Sequence, residues 1–260
     1  MPNMILIPES AFIAYTPAAS TEASGFPDDN AALYRSPSKE WRSTVKTETT
    51  IVCDTGAVGQ PVAGVFLHGV NFEDAVIQGC ASDSWGAPSF SEEIEIAQCP
   101  ESKRWKGLYV LTNFEYRYLR LKIPAQDPID GEAFFRIGAL VLCSEAPELA
   151  INPKWGGYPK RMIRPAREVE FEGGSSEFVQ LGLHRLLEVE LAFSGDRTHA
   201  AGLVSALNLD LGTAVILYEN GVDGGGHEAA WLMQVRSQLR IHSTGFNQRD
   251  VDPIQLREMV

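Results

Sequence analysis

The chain is expected to be mainly β: an antiparallel β-sandwich over its first half, then a smaller α+β split barrel with one amphipathic helix. Three observations predict this. Short apolar runs recur from residue 50 to residue 143 with Gly- and Pro-rich turns between them. One segment, Tyr116 to Ile123, alternates without a break. Beyond residue 165, strand-like alternation is joined by a single helical spacing of apolar residues.

Residues 8 to 45 are rich in Pro, Ser, Ala, Thr and Asp and lack sustained periodicity, which predicts an extended segment with short turns and Trp41 as its anchor. Thr50–Asp54 reads as a strand that turns at Gly56 to Pro61, and Val62–Leu67 is a continuous apolar run suited to a sandwich interior. Ala75–Gln78, Glu93–Ile96, Tyr109–Leu111 and Phe134–Cys143 are further strands, with a turn-rich loop from Ser82 to Ser91. In the alternating segment, Leu119, Leu121 and Ile123 share the inner face, while Tyr118, Arg120 and Lys122 form a charged outer face. Arg117 falls on the inward parity, where a buried structural ion pair is expected.

The pattern lapses from Ser144 to Lys160, so the boundaries are set at residues 1–146 for the sandwich, 147–164 for a linker and 165–260 for the second domain. Val169–Phe171 begins the second domain, and Leu187, Val189, Leu191 and Phe193 alternate with Glu188, Glu190 and Ala192. Ser194-Gly195-Asp196 supplies a turn and N-cap for a helix whose apolar stripe is Ala200, Leu203, Val204 and Leu207. Ala214–Tyr218, a long strand from Trp231 to Ile241, and Ile254–Leu256 complete the set.

A formal net charge of -12 argues against a surface made for nucleic acid or an anionic membrane, both of which need concentrated Lys and Arg. No basic leader precedes the short apolar run Met4–Ile7 and no run approaches a membrane span, so cytosolic synthesis is the expectation. Cys53, Cys80, Cys99 and Cys143 are widely spaced, with no C-x-x-C pair; buried free thiols are expected, with disulfides or a metal site as alternatives.

Two resemblances follow from the order of these motifs. Trp41, Asp54-Thr55-Gly56, Ser82-Asp83-Ser84-Trp85, Arg117–Leu121 and Ile137–Val141 together resemble the discoidin-like, galactose-binding-like jelly roll over about residues 30 to 144. That family uses loops at one end of the sandwich to bind sugars, lipids or proteins, which makes Asn71, Trp85, Phe90 and Trp105 the candidate contacts here. Core packing competes with ligand stacking as the role of each aromatic.

Phe171-Glu172-Gly173-Gly174, the strand to Phe193, the helix to Leu207 and the strands at Gly212–Tyr218 and Trp231–Ile241 resemble the ring-forming β-barrel domains of bacteriophage tail proteins. Jelly roll then barrel is an order similar to that of minor tail or tail-tip (distal tail or baseplate) proteins of long-tailed phages and gene transfer agents. The resemblance implies a virion component assembled in the bacterial host cytoplasm, a homo-oligomeric ring and contacts with other tail or baseplate proteins. Within a local basic patch of Lys154, Lys160, Arg161, Arg164 and Arg167, the arginines are candidate contacts to an acidic neighbour, set against a solvated or internally paired face. The alternative function is a carbohydrate-binding module for a bacterial surface glycan.

No catalytic, cofactor or metal signature accompanies these patterns. Asn220–Glu228 is glycine-rich and carries Asp223, His227 and Glu228, but it lacks the P-loop, Rossmann and H-E-x-x-H arrangements, so a hairpin loop is the expectation. The five histidines, at 68, 184, 199, 227 and 242, show no ligand spacing and belong to no nucleophile triad. A non-enzymatic role is expected.

Overall fold

The computed structural model describes residues 4–56, 61–98, 105–110, 114–147, 160–163, 166–170, 176–180, 184–189, 212–218, 230–237, 241–245, 248–251 and 254–259. Among these the protein is mainly β, with helical turns confined to two short 3-10 segments, Glu9–Ala11 and Asp28–Ala32. The helix expected at Ala200–Leu207, the glycine-rich string Asn220–Glu228 and Cys99 lie outside the described residues. The chain divides into two compact units: residues 1–150 with 214–232, and residues 151–213 with 233–260.

In the first unit the strands are β1 (Ile5–Pro8), β2 (Phe12–Ile13), β3 (Thr16–Ala19), β4 (Trp41–Arg42), β5 (Thr49–Asp54), β6 (Gly64–Val70) and β7 (Asp74–Cys80), followed by β8 (Phe90–Glu95), β9 (Ala97–Gln98), β10 (Trp105–Val110), β11 (Tyr118–Ile123), β12 (Arg136–Ile137) and β13 (Ala139–Cys143). All but β1, β4 and β12 build two five-stranded antiparallel sheets, ordered β2-β13-β6-β10-β9 and β3-β5-β11-β7-β8, while β4 and β12 pair with each other. Alternate residues of both sheets meet in one apolar core: Ile51, Cys53, Ile77, Leu119, Leu121 and Ile123 from one, Val65, Leu67, Leu140 and Leu142 from the other. That is a β-sandwich. Burying the apolar side of each strand supplies the main driving force.

The alternating segment behaves as its periodicity dictates, with Leu119, Leu121 and Ile123 buried and Tyr118, Arg120 and Lys122 half-buried on the other side. Two expectations change. The strand starts at Tyr118 rather than Tyr116, and it is the middle strand of its sheet, flanked by β5 and β7. The stretch expected as one strand from Phe134 to Cys143 is broken at Gly138, whose N–H donates to the His68 carbonyl at 3.0 Å. A Cβ at Gly138 would stand 2.8 Å from the Pro37 carbonyl oxygen, so only glycine permits this approach of backbones.

The segment from residue 8 to residue 45 is tied down at several points. Trp41 is fully buried and donates from Nε1 to the Thr21 carbonyl, while Glu9 accepts hydrogen bonds from Tyr34, Arg35 and the Ala214 N–H. Burial alone would raise the Glu9 carboxyl, but those three donors outweigh it and hold its pKa below the ordinary value. Strand β1 pairs antiparallel with Ala214–Tyr218, Ile5 opposite Tyr218 and Pro8 opposite Val215.

In the second unit, Lys160–Ile163 pairs with His184–Val189, which pairs with Ile254–Glu258, which in turn pairs with Met233–Val235, all antiparallel. Leu187, Met233, Val235, Ile254 and Leu256 are buried. The long strand expected from Trp231 to Ile241 ends at Val235, and Ile241–Gly245 belongs to a separate hairpin with Gln248–Val251. A second hairpin joins Ala166–Glu170 to Ser176–Gln180. Among the described residues each hairpin is a two-stranded sheet of its own.

Candidate functional site

Strand alternation aims Tyr118, Arg120 and Lys122 out of the sandwich, and register decides what Arg120 meets there. It stands opposite Val52 of β5 on one side and Gln78 of β7 on the other, and Gln78 stands opposite Ser91 of β8. The Arg120 guanidinium donates from Nε and Nη2 to Gln78 Oε1 at 2.8 and 2.5 Å, and Gln78 Nε2 donates to Ser91 Oγ at 3.3 Å. A polar line therefore crosses three strands.

The loop after β7 supplies an aromatic roof. Its tight turn is set by the Ser84 N–H donating to the Ser82 carbonyl, by Cys80 Sγ donating to the Ser84 carbonyl and by the Ser89 N–H donating to the Gly79 carbonyl. Trp85 Nε1 donates to Asp83 Oδ1 at 2.6 Å, which orients the indole so that the Arg120 Cζ lies 4.4 Å from its ring centroid. Trp85 remains half-buried, with part of its ring facing solvent. The contact is a cation–π stack joined edge-on to an amide.

Charge on this face is unevenly matched. Arg117 forms a bidentate pair with Asp54, Nε to Oδ1 and Nη2 to Oδ2, both at 2.8 Å, and Lys122 pairs with Glu48 at 2.8 Å. Arg120 has no carboxylate partner among the described residues; its hydrogen bonds go to the neutral amide of Gln78. Burial lowers its pKa, with Glu48 and Asp83 acting in the opposite sense, and a guanidinium stays cationic regardless. Of its five N–H donors, the Gln78 contacts use two.

Behind the site lies a cluster of aromatic edges. Phe90 meets Phe114 at 5.3 Å and 90°, Phe114 meets Tyr116 at 5.1 Å and 83°, and a Cβ on Gly79 would collide with both Phe114 and Tyr116. Phe90 packs against the core, so its ring anchors β8 rather than offering a ligand platform.

The other candidates from sequence stand elsewhere. Asn71, expected at a loop tip, is buried: Nδ2 donates to Asp130 Oδ1 and to the Phe134 carbonyl, each at 3.0 Å, and Oδ1 accepts from the Arg136 N–H at 2.8 Å. The backbone of Trp105 is opposite Val70 and Gln98, in the other sheet and beside Asn71. Asn71 precedes β7 and Trp85 follows it, so a strand of seven residues, roughly 20 Å of chain, separates them. Arg117, expected in a buried ion pair, is paired but about a third of its side chain is exposed. Arg161 lies opposite Leu186 and Arg167 opposite Val179, on strands of different sheets, while Arg164 lies outside the described residues.

Trp85 is a candidate from the sequence; the two side chains packed beside it are not. In the sequence Arg120 is legible as an outward-facing strand residue and Gln78 only as the end of another strand; the signal that joins them is register, not spacing along the chain. Among the described residues no group of three His, Cys, Asp or Glu is placed to hold a metal ion, and no helix is long and apolar enough to cross a membrane.

No family model matches the sequence, and no curated protein matches it. Several solved structures are similar to about half of the chain. A chitosan-binding module 1 from a Paenibacillus sp. IK-5 chitosanase/glucanase is 19% identical over 51% of this chain and 96% of its own, with a TM-score of 0.38. A fucose binding module of Streptococcus pneumoniae is 11% identical over 54% of this chain and 96% of its own, with a TM-score of 0.38. Reduced XRCC1, solved bound to the DNA pol beta catalytic domain, is 12% identical over 52% of this chain and 99% of the matched chain, with a TM-score of 0.40.

Proposed function

We propose that the sandwich is a carbohydrate-binding module and that its outer sheet face, roofed by Trp85, is the binding surface. One observation carries this reading: a half-buried indole, a guanidinium and a carboxamide converge at Trp85, Arg120 and Gln78. Saccharides present C–H faces that stack on indole rings and vicinal hydroxyls that planar amide and guanidinium donors bridge. The three side chains are prearranged by strand register and by the Asp83 contact, so little side-chain freedom remains to be lost on binding. A glycan array probed with the whole chain tests the reading. Binding to a bacterial surface glycan that disappears in Trp85→Ala is expected; an array with no signal from the wild type sinks it.

A second reading, a subunit of a phage tail tip or baseplate, draws support from the sequence resemblance of residues 165–260. The two readings are compatible, since a virion subunit can carry a glycan-binding module. Mass photometry of the purified chain, alone and with tail extracts, tests assembly. Discrete oligomers are expected, and a monomer that associates with no tail protein contradicts it.

A further inference from the structure

We infer that the glycan taken by this face is acidic, a carboxylate-bearing saccharide whose carboxylate docks end-on at Arg120. The inference rests on the carbohydrate-binding reading and deepens it. Three cations line the outer face of β11 and its approach, and the structure treats them differently. Arg117 is held by Asp54 in a two-bond fork, and Lys122 is met by Glu48. Arg120, between them in sequence and covered by Trp85, donates only to the Gln78 amide among the described residues.

The hydrogen bonds to Gln78 say which donors are uncommitted among the described residues. Gln78 takes the side of the guanidinium formed by Nε and Nη2. The end formed by Nη1 and the second Nη2 hydrogen is the remaining two-donor fork, and its spacing matches the two oxygens of a carboxylate. A sugar ring carrying that carboxylate would lie toward Trp85, stacking on the exposed part of the indole, while Ser91 offers a hydroxyl on the exposed edge of β8. Among the described residues the carboxylates acting on Arg120 are Glu48, paired with Lys122, and Asp83, which accepts from Trp85; neither pairs with Arg120.

The protein's net charge of -12 does not oppose this over short range. At physiological salt, charges more than about 8 Å away are largely screened, so the local guanidinium dominates at contact distance.

The test compares oligogalacturonate with the same oligomer after its carboxylates have been reduced to primary alcohols, titrated against the whole chain by calorimetry. The expected result is about tenfold or tighter binding of the acidic form, as for a charge-assisted pair, weakening as salt rises. Arg120→Gln should abolish the preference, Arg120→Lys should retain part of it, and substitution of an exposed cation outside this sheet, Lys39→Gln, should leave it unchanged. Circular dichroism and melting of each variant accompany the titrations, and the wild-type preference stands as a test even where a variant fails to fold. Equal affinity for the two oligomers in the wild type, with Trp85-dependent binding to both, overturns the acidic specificity and leaves the carbohydrate reading standing. Binding to neither oligomer overturns the acidic specificity, and it reaches the carbohydrate reading only when the glycan array is also blank.

Discussion

Arg117 grips Asp54 through two parallel hydrogen bonds of 2.8 Å, joining the approach to β11 to the end of β5 across 63 residues of sequence. Strand β5 ends at Asp54, and the Gly56 N–H adds a third donor to the same carboxylate. The hydrogen bond from Arg117 comes first, and with the Gly56 N–H it holds the Asp54 pKa down at about 2.

A pH dependence follows, and its sign is fixed by that depression. The folded state holds Asp54 ionised below its unfolded value of about 3.9, so its contribution is complete above that value and is lost as pH falls toward about 2. Glu9, also held below its ordinary value, acts in the same direction. Denaturant midpoints measured between pH 7 and pH 2 should therefore fall on the acid side, and Asp54→Asn should flatten part of that slope.

Asn71 is a structural residue, so Asn71→Ala should lower stability without touching glycan binding. It leaves the Arg136 N–H and the Phe134 carbonyl without their side-chain partner in a buried setting, a cost of about 1–3 kcal/mol. Chemical denaturation alongside a binding titration separates the two effects; unchanged stability with lost binding would place Asn71 in the site.

Gly79→Ala should destabilise the sandwich by about 1–3 kcal/mol through overpacking. Its new methyl would stand 2.5 Å from a Phe114 ring carbon and 2.7 Å from one of Tyr116, and the ring of Phe114 is locked between Phe90 and Tyr116. Phe114→Leu in the same background should recover part of the loss in a double-mutant comparison.

Cys53 and Cys143 are buried free thiols whose pKa values burial pushes well up. With negligible thiolate at neutral pH, neither should react with iodoacetamide in the native state, and both should react once the chain is unfolded. Peptide mapping after a short alkylation pulse reads this directly. Labelling of either thiol in folded protein contradicts their burial.

How far the sequence reaches depends on the range of the interaction. Leu119, Leu121 and Ile123 declare their inner face through a period of two, a local property, and the structure buries all three. The position of that strand in the middle of its sheet is not local. It depends on Tyr118 finding Asp54 on one side and Cys80 on the other. The site divides in the same way: Trp85 stands out as an aromatic in a turn-rich loop, whereas its stacking on Arg120 and the Arg120–Gln78 bonds need the register of β7 against β11. Asn71 misleads because a polar residue after an apolar run looks like a loop tip, while the partners that bury it come from Asp130 to Arg136. The pairing of Ile5–Pro8 with Ala214–Tyr218 is longer in range still, and four apolar residues near a terminus carry no mark of it.

The claim that the Trp85-roofed face binds carbohydrate is tested most directly by calorimetric titration of the whole chain with the glycan that an array selects, in wild type and Trp85→Ala. Loss of one stacked indole should weaken binding about tenfold or more, with melting temperature unchanged because the ring contributes to a half-exposed surface rather than to the core. Equal affinity in the two proteins would contradict it.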